Sequence, residues 1–77
     1  MKLRDYLDRL DNLELEAYAG RCGIALSYLR VHVKYASKDP SVNLIKALTR
    51  ESEGQVSLAE VLQHFGITEV APASLVA

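Results

Sequence analysis

The sequence ELEAYAGRCGIALSYLRVHVK, at residues 14–34, holds the strongest structural signal in the chain. Apolar residues recur there in two sets: Leu15, Tyr18, Ala19 and Cys22 before Gly23, and Leu26, Leu29 and Val33 after it. This spacing places each set on one face of a helix. Gly23 adopts the positive φ of a helix-ending turn at little steric cost. We therefore expect one helix that ends at about Arg21 and a second that starts near Ala25–Ser27.

An amphipathic first helix is predicted over about residues 2–10. Its apolar residues have the i, i+3, i+4, i+7 spacing of one helical face: Leu3, Tyr6, Leu7 and Leu10. Asp11 interrupts this pattern, so the second helix begins at Asn12 or Leu13.

The fourth helix is predicted over residues 42–53, after the break SKDPS at residues 37–41. Pro40 or Ser41 opens it, because a proline in the first turn lacks only an N–H that has no intrahelical partner. Gly54 ends it. The inward face is expected to contain Val42, Ile45, Leu48 and Thr49.

The fifth helix begins at a capping box, in which the Ser57 side chain accepts from the Glu60 backbone and Glu60 reaches back. This helix extends to about Phe65 and stops at Gly66. Residues 67–77 are small and apolar without helical periodicity, and we expect them to form a tail.

These patterns predict an all-α fold, a compact five-helix domain at residues 1–66 followed by the tail. A chain of 77 residues with 49% apolar side chains can form one core, but it has little room for a deep catalytic cleft. The predicted core includes Leu7, Tyr18, Ala19, Ile24, Leu29, Ile45, Leu48, Leu58 and Leu62.

Charge is unevenly distributed along the chain. The net charge is −1, which argues against a general nucleic-acid coat. Residues 21–50, however, carry six Lys or Arg and one Asp, whereas the segments on either side are net acidic. The basic middle third can therefore present a surface to phosphates.

The remaining composition favours a cytoplasmic protein. Cys22 is the single cysteine, so no intrachain disulfide is available, as is usual in a reducing compartment. The sequence contains no apolar run long enough to span a bilayer, and the start MKLRD is unlike a signal peptide.

The pattern around Gly23 resembles the helix-turn-helix of the Cro and phage-repressor-like family. Ala19 lies four residues before the glycine, Ile24 directly after it and Leu29 six residues after it. A small residue lets the two helices approach closely, and the two apolar residues hold the second helix against the first. The resemblance implies a helix-turn-helix at about residues 14–34.

The resemblance extends over about residues 3–65. Asp39-Pro40-Ser41 followed by a helix is similar to the segment after the motif in this family. The stretch EGQVSLAEVL at residues 53–62 is similar to the ending GG-x-V-T-L-x-D-L of small Cro-like regulators.

The resemblance implies a transcriptional regulator of phage or prophage type, a repressor that binds double-stranded DNA as a homodimer. Its second motif helix, at about residues 26–35, would enter the major groove. Contacts to base edges are implied for Leu26, Ser27, Arg30 and Val31, with Lys34 further along. Contacts to phosphates are implied for Tyr28, Lys34 and Lys38. Arg30 is the candidate for a bidentate contact to guanine.

A protein-interaction module is the alternative function: an antirepressor, an adaptor or an antitoxin with the same helical fold. Glu14, Glu16 and the low net charge favour it. An enzyme is least supported, because Ser27 and Ser57 are better interpreted as capping residues than as nucleophiles. No cofactor is expected. No metal site is expected either, since the His and Cys residues do not cluster at ligand spacing.

The C-terminal third is the expected dimer surface. Apolar residues of the fifth helix and the tail would form it: Leu58, Val61, Leu62, Phe65, Ile67 and Val70. An exposed patch of this kind usually marks an association site. The competing interpretation is that the helix residues among them close the core of the monomer.

Overall fold

Local capping interactions begin three of the helices. A computed structural model of the chain describes residues 1–67, and within them the regular structure is helical. Helix α1 spans Leu3–Arg9, and α2 spans Asn12–Arg21. Helix α2 starts after Asp11, whose carboxylate accepts from the Glu14 N–H at 2.8 Å while the Glu14 side chain accepts from the Asp11 N–H. Asp11 is therefore a helix cap, a role beyond the interruption of the apolar pattern that was expected of it.

The third helix has an α-helical first part and a π-helical second part. Helix α3 spans Leu26–Tyr28 and continues without interruption into a π-helical turn, Leu29–Val33. There the Lys34 N–H donates to the Leu29 carbonyl oxygen at 2.9 Å, five residues back. We call the whole of residues 26–33 the α3–π segment. Its start agrees with the prediction, whereas its wider π-helical turn was not predicted; such turns are often found at functional sites.

The turn at Gly23 has the predicted conformation. Gly23 has a φ of +76°, and its N–H donates to the Gly20 carbonyl oxygen at 3.1 Å. The next N–H, of Ile24, donates to the Ala19 carbonyl oxygen at 3.0 Å. These two bonds form a Schellman motif, which satisfies carbonyls at the end of α2 and turns the chain into α3.

Helix α4 spans Val42–Glu51 and α5 spans Leu58–His64. The predicted Ser57–Glu60 capping box is present, and Ser41 caps α4 by accepting from the Leu44 N–H at 3.1 Å. Helix α4 ends two residues before the predicted Glu53. The reason is that Glu53 itself takes a positive φ, of +55°, one residue ahead of Gly54.

The five helices within residues 1–67 enclose one core, which confirms the all-α compact fold. Predicted members that are buried are Leu7, Tyr18, Ala19, Leu29 and Leu48, whereas Ile24 and Ile45 are half-buried against them. Leu62 is also half-buried. Further buried apolar residues are Leu3, Val33, Leu44, Ala47, Val56 and Val61.

The prediction that Val42 and Leu58 face the core is wrong. Val42 is 66% exposed and Leu58 is 50% exposed. Each is the first residue of its helix, and side chains on a helix tilt toward its N-terminus. A side chain at this position therefore leans away from the body of its helix, next to an exposed cap residue, Ser41 or Ser57.

Polar groups in the core have partners. The Tyr18 hydroxyl donates to the Leu48 carbonyl oxygen at 2.6 Å, and burial raises the pKa of Tyr18 well above its usual range. Cys22 is half-buried rather than fully buried, and burial raises the pKa of its thiol to about 11. The thiol is therefore protonated at neutral pH. No helix in the described part of the chain has the length and apolar character needed to cross a membrane.

Candidate nucleic-acid interface

The α3–π segment is held in place by two buried side chains. Leu29 and Val33 are 0% and 1% exposed. Three of the predicted DNA-contacting residues, Ser27, Arg30 and Val31, are exposed on the same segment. The segment therefore anchors one face in the core and presents polar, basic and apolar groups on the other.

Leu26 and Tyr28, also predicted contacts, are less available. Both are half-buried and pack against the core. The Tyr28 ring also packs against His32, with ring centroids 4.9 Å apart. Only part of each side chain can therefore meet a ligand.

Arg30 is attached to the beginning of α2. Its guanidinium Nη2 donates a hydrogen bond to the Asn12 side-chain oxygen. The acceptor is neutral, so the positive charge of Arg30 remains uncompensated in this contact.

Lys34 is paired with a carboxylate instead. Its Nζ lies 2.9 Å from the Asp8 Oδ1 of α1, and both side chains are partly exposed. The same ammonium lies 5.8 Å from the centre of the Tyr35 ring, and the Arg4 guanidinium approaches that ring to 5.2 Å. Arg4, Asp8, Lys34 and Tyr35 thus form one exposed cluster at the end of the α3–π segment.

An open cleft of about 370 Å³ lies between Arg30 and Lys34. Leu7, Leu15 and Leu29 line it with apolar atoms, and Asn12 and Tyr35 complete its lining. The two basic residues on which the DNA hypothesis depends therefore belong to one concave surface.

Two hydrogen bonds hold the end of the α3–π segment in place. The His64 Nε2–H of α5 donates to the Val33 carbonyl oxygen at 2.5 Å. The His32 Nδ1 and the Ser37 hydroxyl share a hydrogen bond of 2.8 Å. Lys38 follows Ser37 and is exposed, in the connection that leads to α4.

Sequence reasoning missed four residues at this surface: Arg4, Asp8, Asn12 and His64. Each belongs to a helix other than the α3–π segment, and the contacts of Asn12 and His64 cross 18 and 31 residues of sequence. A local pattern cannot report such contacts. The exposed positions of Arg4 and Asp8, one turn apart on α1, were the only signal available.

Acidic side chains lie on the neighbouring helix. Glu14 and Glu16 of α2 are exposed, and Glu14 is engaged in the capping box with Asp11. Within residues 1–67, no group of three or more His, Cys, Asp or Glu side chains is arranged to hold a metal ion.

We compared the chain with protein-family models, with curated proteins and with solved structures. None of the three comparisons found a match.

Proposed function

We propose that this protein is a sequence-specific transcriptional regulator that binds double-stranded DNA. In this proposal it is a cytoplasmic repressor of phage or prophage type, it acts as a homodimer, and it performs no enzymatic reaction. The α3–π segment enters the major groove, and α2 crosses the backbone beside it.

The exposed row Ser27, Arg30 and Val31 is the observation that carries the proposal. A helix whose opposite face is buried at Leu29 and Val33 is rigidly placed, as a segment that reads bases must be. The three exposed residues offer a hydroxyl, a guanidinium and an apolar surface. These groups suit a base edge or phosphate, guanine O6 and N7, and the thymine methyl, respectively.

Basic residues at the end of the same segment support a contact with the DNA backbone. Lys38 is exposed, and Lys34 lies at the rim of the cleft beside Arg30. Lysine contacts to phosphates orient a protein on the duplex without reading its sequence. Because the whole chain has a net charge of −1, these clustered basic residues would be the main source of electrostatic attraction to DNA.

The first test is an electrophoretic shift series with the DNA upstream of the protein's own coding region, repeated at several salt concentrations. Arg30→Ala should remove the preference for one base pair and weaken binding by about 1–3 kcal/mol. Lys38→Ala should weaken binding to all sequences alike. It should also reduce the slope of the logarithm of the binding constant against the logarithm of the salt concentration by about one.

Lys46→Ala is the matched control, since Lys46 is an exposed lysine of α4 and the variant loses the same charge as Lys38→Ala. It should bind as the parent does. If Arg30→Ala selected sequences as sharply as the parent, the assignment of the α3–π segment would be wrong. Failure of the parent protein to bind any duplex at low salt would reject the function itself.

A protein-interaction module remains the second candidate, and the outer face of α2 favours it. Leu13 is 78% exposed, and the exposed acidic residues Glu14 and Glu16 follow it on the same helix. An apolar side chain beside carboxylates suits a basic protein partner better than a phosphate backbone. If the protein does not bind DNA, the protein-interaction module becomes the favoured function, as an antirepressor, an adaptor or an antitoxin.

A further inference from the structure

Asn12 makes its side-chain contact with the α3–π segment, not with its own helix. It is the first residue of α2, where asparagine side chains commonly serve as caps. Here the capping is already complete, because Asp11 and Glu14 exchange both bonds of the capping box. The Asn12 side-chain oxygen instead accepts from Nη2 of Arg30, 18 residues away.

This contact restricts a side chain that would otherwise be mobile. Arg30 is exposed, and a long exposed arginine samples many rotamers. A bidentate contact to guanine requires the planar guanidinium in one orientation. One bond to Asn12 restricts the orientations of that plane and leaves the other N–H groups of the guanidinium available.

The neutral acceptor matters as much as the geometry. Asp8 pairs with Lys34 through a carboxylate, which offsets the charge of the lysine. Asn12 holds Arg30 through an amide, so the arginine keeps its full charge toward an incoming duplex. The two contacts therefore have different consequences. The Asn12 contact orients the charge of Arg30, whereas the Asp8 contact offsets the charge of Lys34.

We infer that Asn12 is a positioning residue that orients Arg30 for reading a base pair. This inference rests on the proposed DNA-binding function and assigns a determinant of specificity outside the α3–π segment. Asn12 acts through Arg30, so its contribution vanishes when Arg30 is absent.

The test is a double-mutant cycle on sequence preference. Dissociation constants are measured by fluorescence anisotropy for the operator and for duplexes changed at the base pair that Arg30→Ala identifies. Asn12→Ala should reduce the preference at that base pair by about 2- to 10-fold, the value of one ordinary hydrogen bond. In an Arg30→Ala background, where this preference is already lost, the same substitution should leave the dissociation constant for the operator unchanged.

Asn12→Asp distinguishes positioning from mere support of the fold. The aspartate retains the acceptor oxygen, so the preference should be restored, while its charge should weaken binding to all duplexes alike. Asn43→Ala is the matched control, since Asn43 is also an exposed asparagine in the first turn of a ten-residue helix. Thermal melts of all variants should coincide with that of the parent, because the Asp11–Glu14 capping box is untouched.

The outcomes separate the inference from the function on which it rests. If Asn12→Ala leaves the preference unchanged, or weakens operator binding equally with and without Arg30, the inference is overturned while DNA binding stands. If the parent protein binds no duplex, both are overturned. Loss of preference that needs Arg30 and is restored by Asn12→Asp supports the inference.

Discussion

The Tyr18 hydroxyl joins two helices through one buried hydrogen bond. It donates to the carbonyl oxygen of Leu48, which lies in the last turns of α4, where backbone carbonyls lose their helical partners. The Tyr18 ring is fully buried and packs in a T-shaped arrangement with the Tyr6 ring, with ring centroids 5.4 Å apart. The position therefore requires both an aromatic ring and a donor.

Tyr18→Phe should destabilise the protein by about 1–3 kcal/mol, because the Leu48 carbonyl is left buried without its donor. Urea unfolding followed by circular dichroism measures the change. Tyr35→Phe removes a hydroxyl from a side chain that is 60% exposed and should change stability by less than about 0.5 kcal/mol. Equal stability of the parent and Tyr18→Phe would contradict the role assigned to this bond.

Among the helices, the contact of α2 with the α3–π segment depends on a small residue. Ala19 is 1% exposed, and its carbonyl oxygen accepts from Ile24 in the turn that follows. A larger side chain at this position would have to displace either the turn or the neighbouring helix, because the packed core has no space to receive it.

Ala19→Leu should cost about 1–3 kcal/mol of stability through overpacking. It should also weaken DNA binding, since the α3–π segment is placed by this contact. The matched control is Ala17→Leu, two residues earlier on α2 and exposed, which should leave the melting temperature nearly unchanged. A melt in which both variants match the parent would show that the two helices do not depend on a small residue here.

For the molecule as a whole, the surface available for dimerisation is smaller than the sequence predicts. Val61 is fully buried and Phe65 is half-buried against the core, so these two residues mainly close the monomer, and Leu62 is half-buried as well. Leu58 and Ile67 remain exposed, at 50% and 45%. Val70 lies outside the described residues, as does the rest of the predicted tail from residue 68 onward.

If the protein binds DNA as proposed, we expect the full chain to dimerise at micromolar concentration or on its operator, because one short α3–π segment would cover only half of a typical site. Sedimentation of the full chain and of a 1–66 truncation measures this. Leu58→Ser should weaken the dimer without unfolding the monomer, since the side chain is half exposed. A full chain that stays monomeric even with operator DNA would reject the dimer; a truncation that still dimerises would leave α5 as the contact.

The exposure of the residues in the candidate site could be predicted in part from the helical spacing of apolar residues. Leu29 and Val33 were predicted to face inward, and the residues between and beside them, such as Arg30 and Val31, are therefore expected outward. Which neighbours hold Arg30 and Lys34 could not be predicted in this way. Those partners, Asn12 and Asp8, belong to other helices, and their approach depends on how the helices dock.

The amino-acid sequence by itself determined where the helices lie and how several of them begin or end, since these features depend on interactions within about four residues of chain. The Gly23 turn and the Ser57–Glu60 capping box are examples. Only the tertiary structure decided that Val61 rather than Leu58 is buried, and that Tyr18 reaches the Leu48 carbonyl across 30 residues. Helical periodicity marks an apolar face to within a residue or two, but the rotation of each helix is fixed by the side chains it packs against.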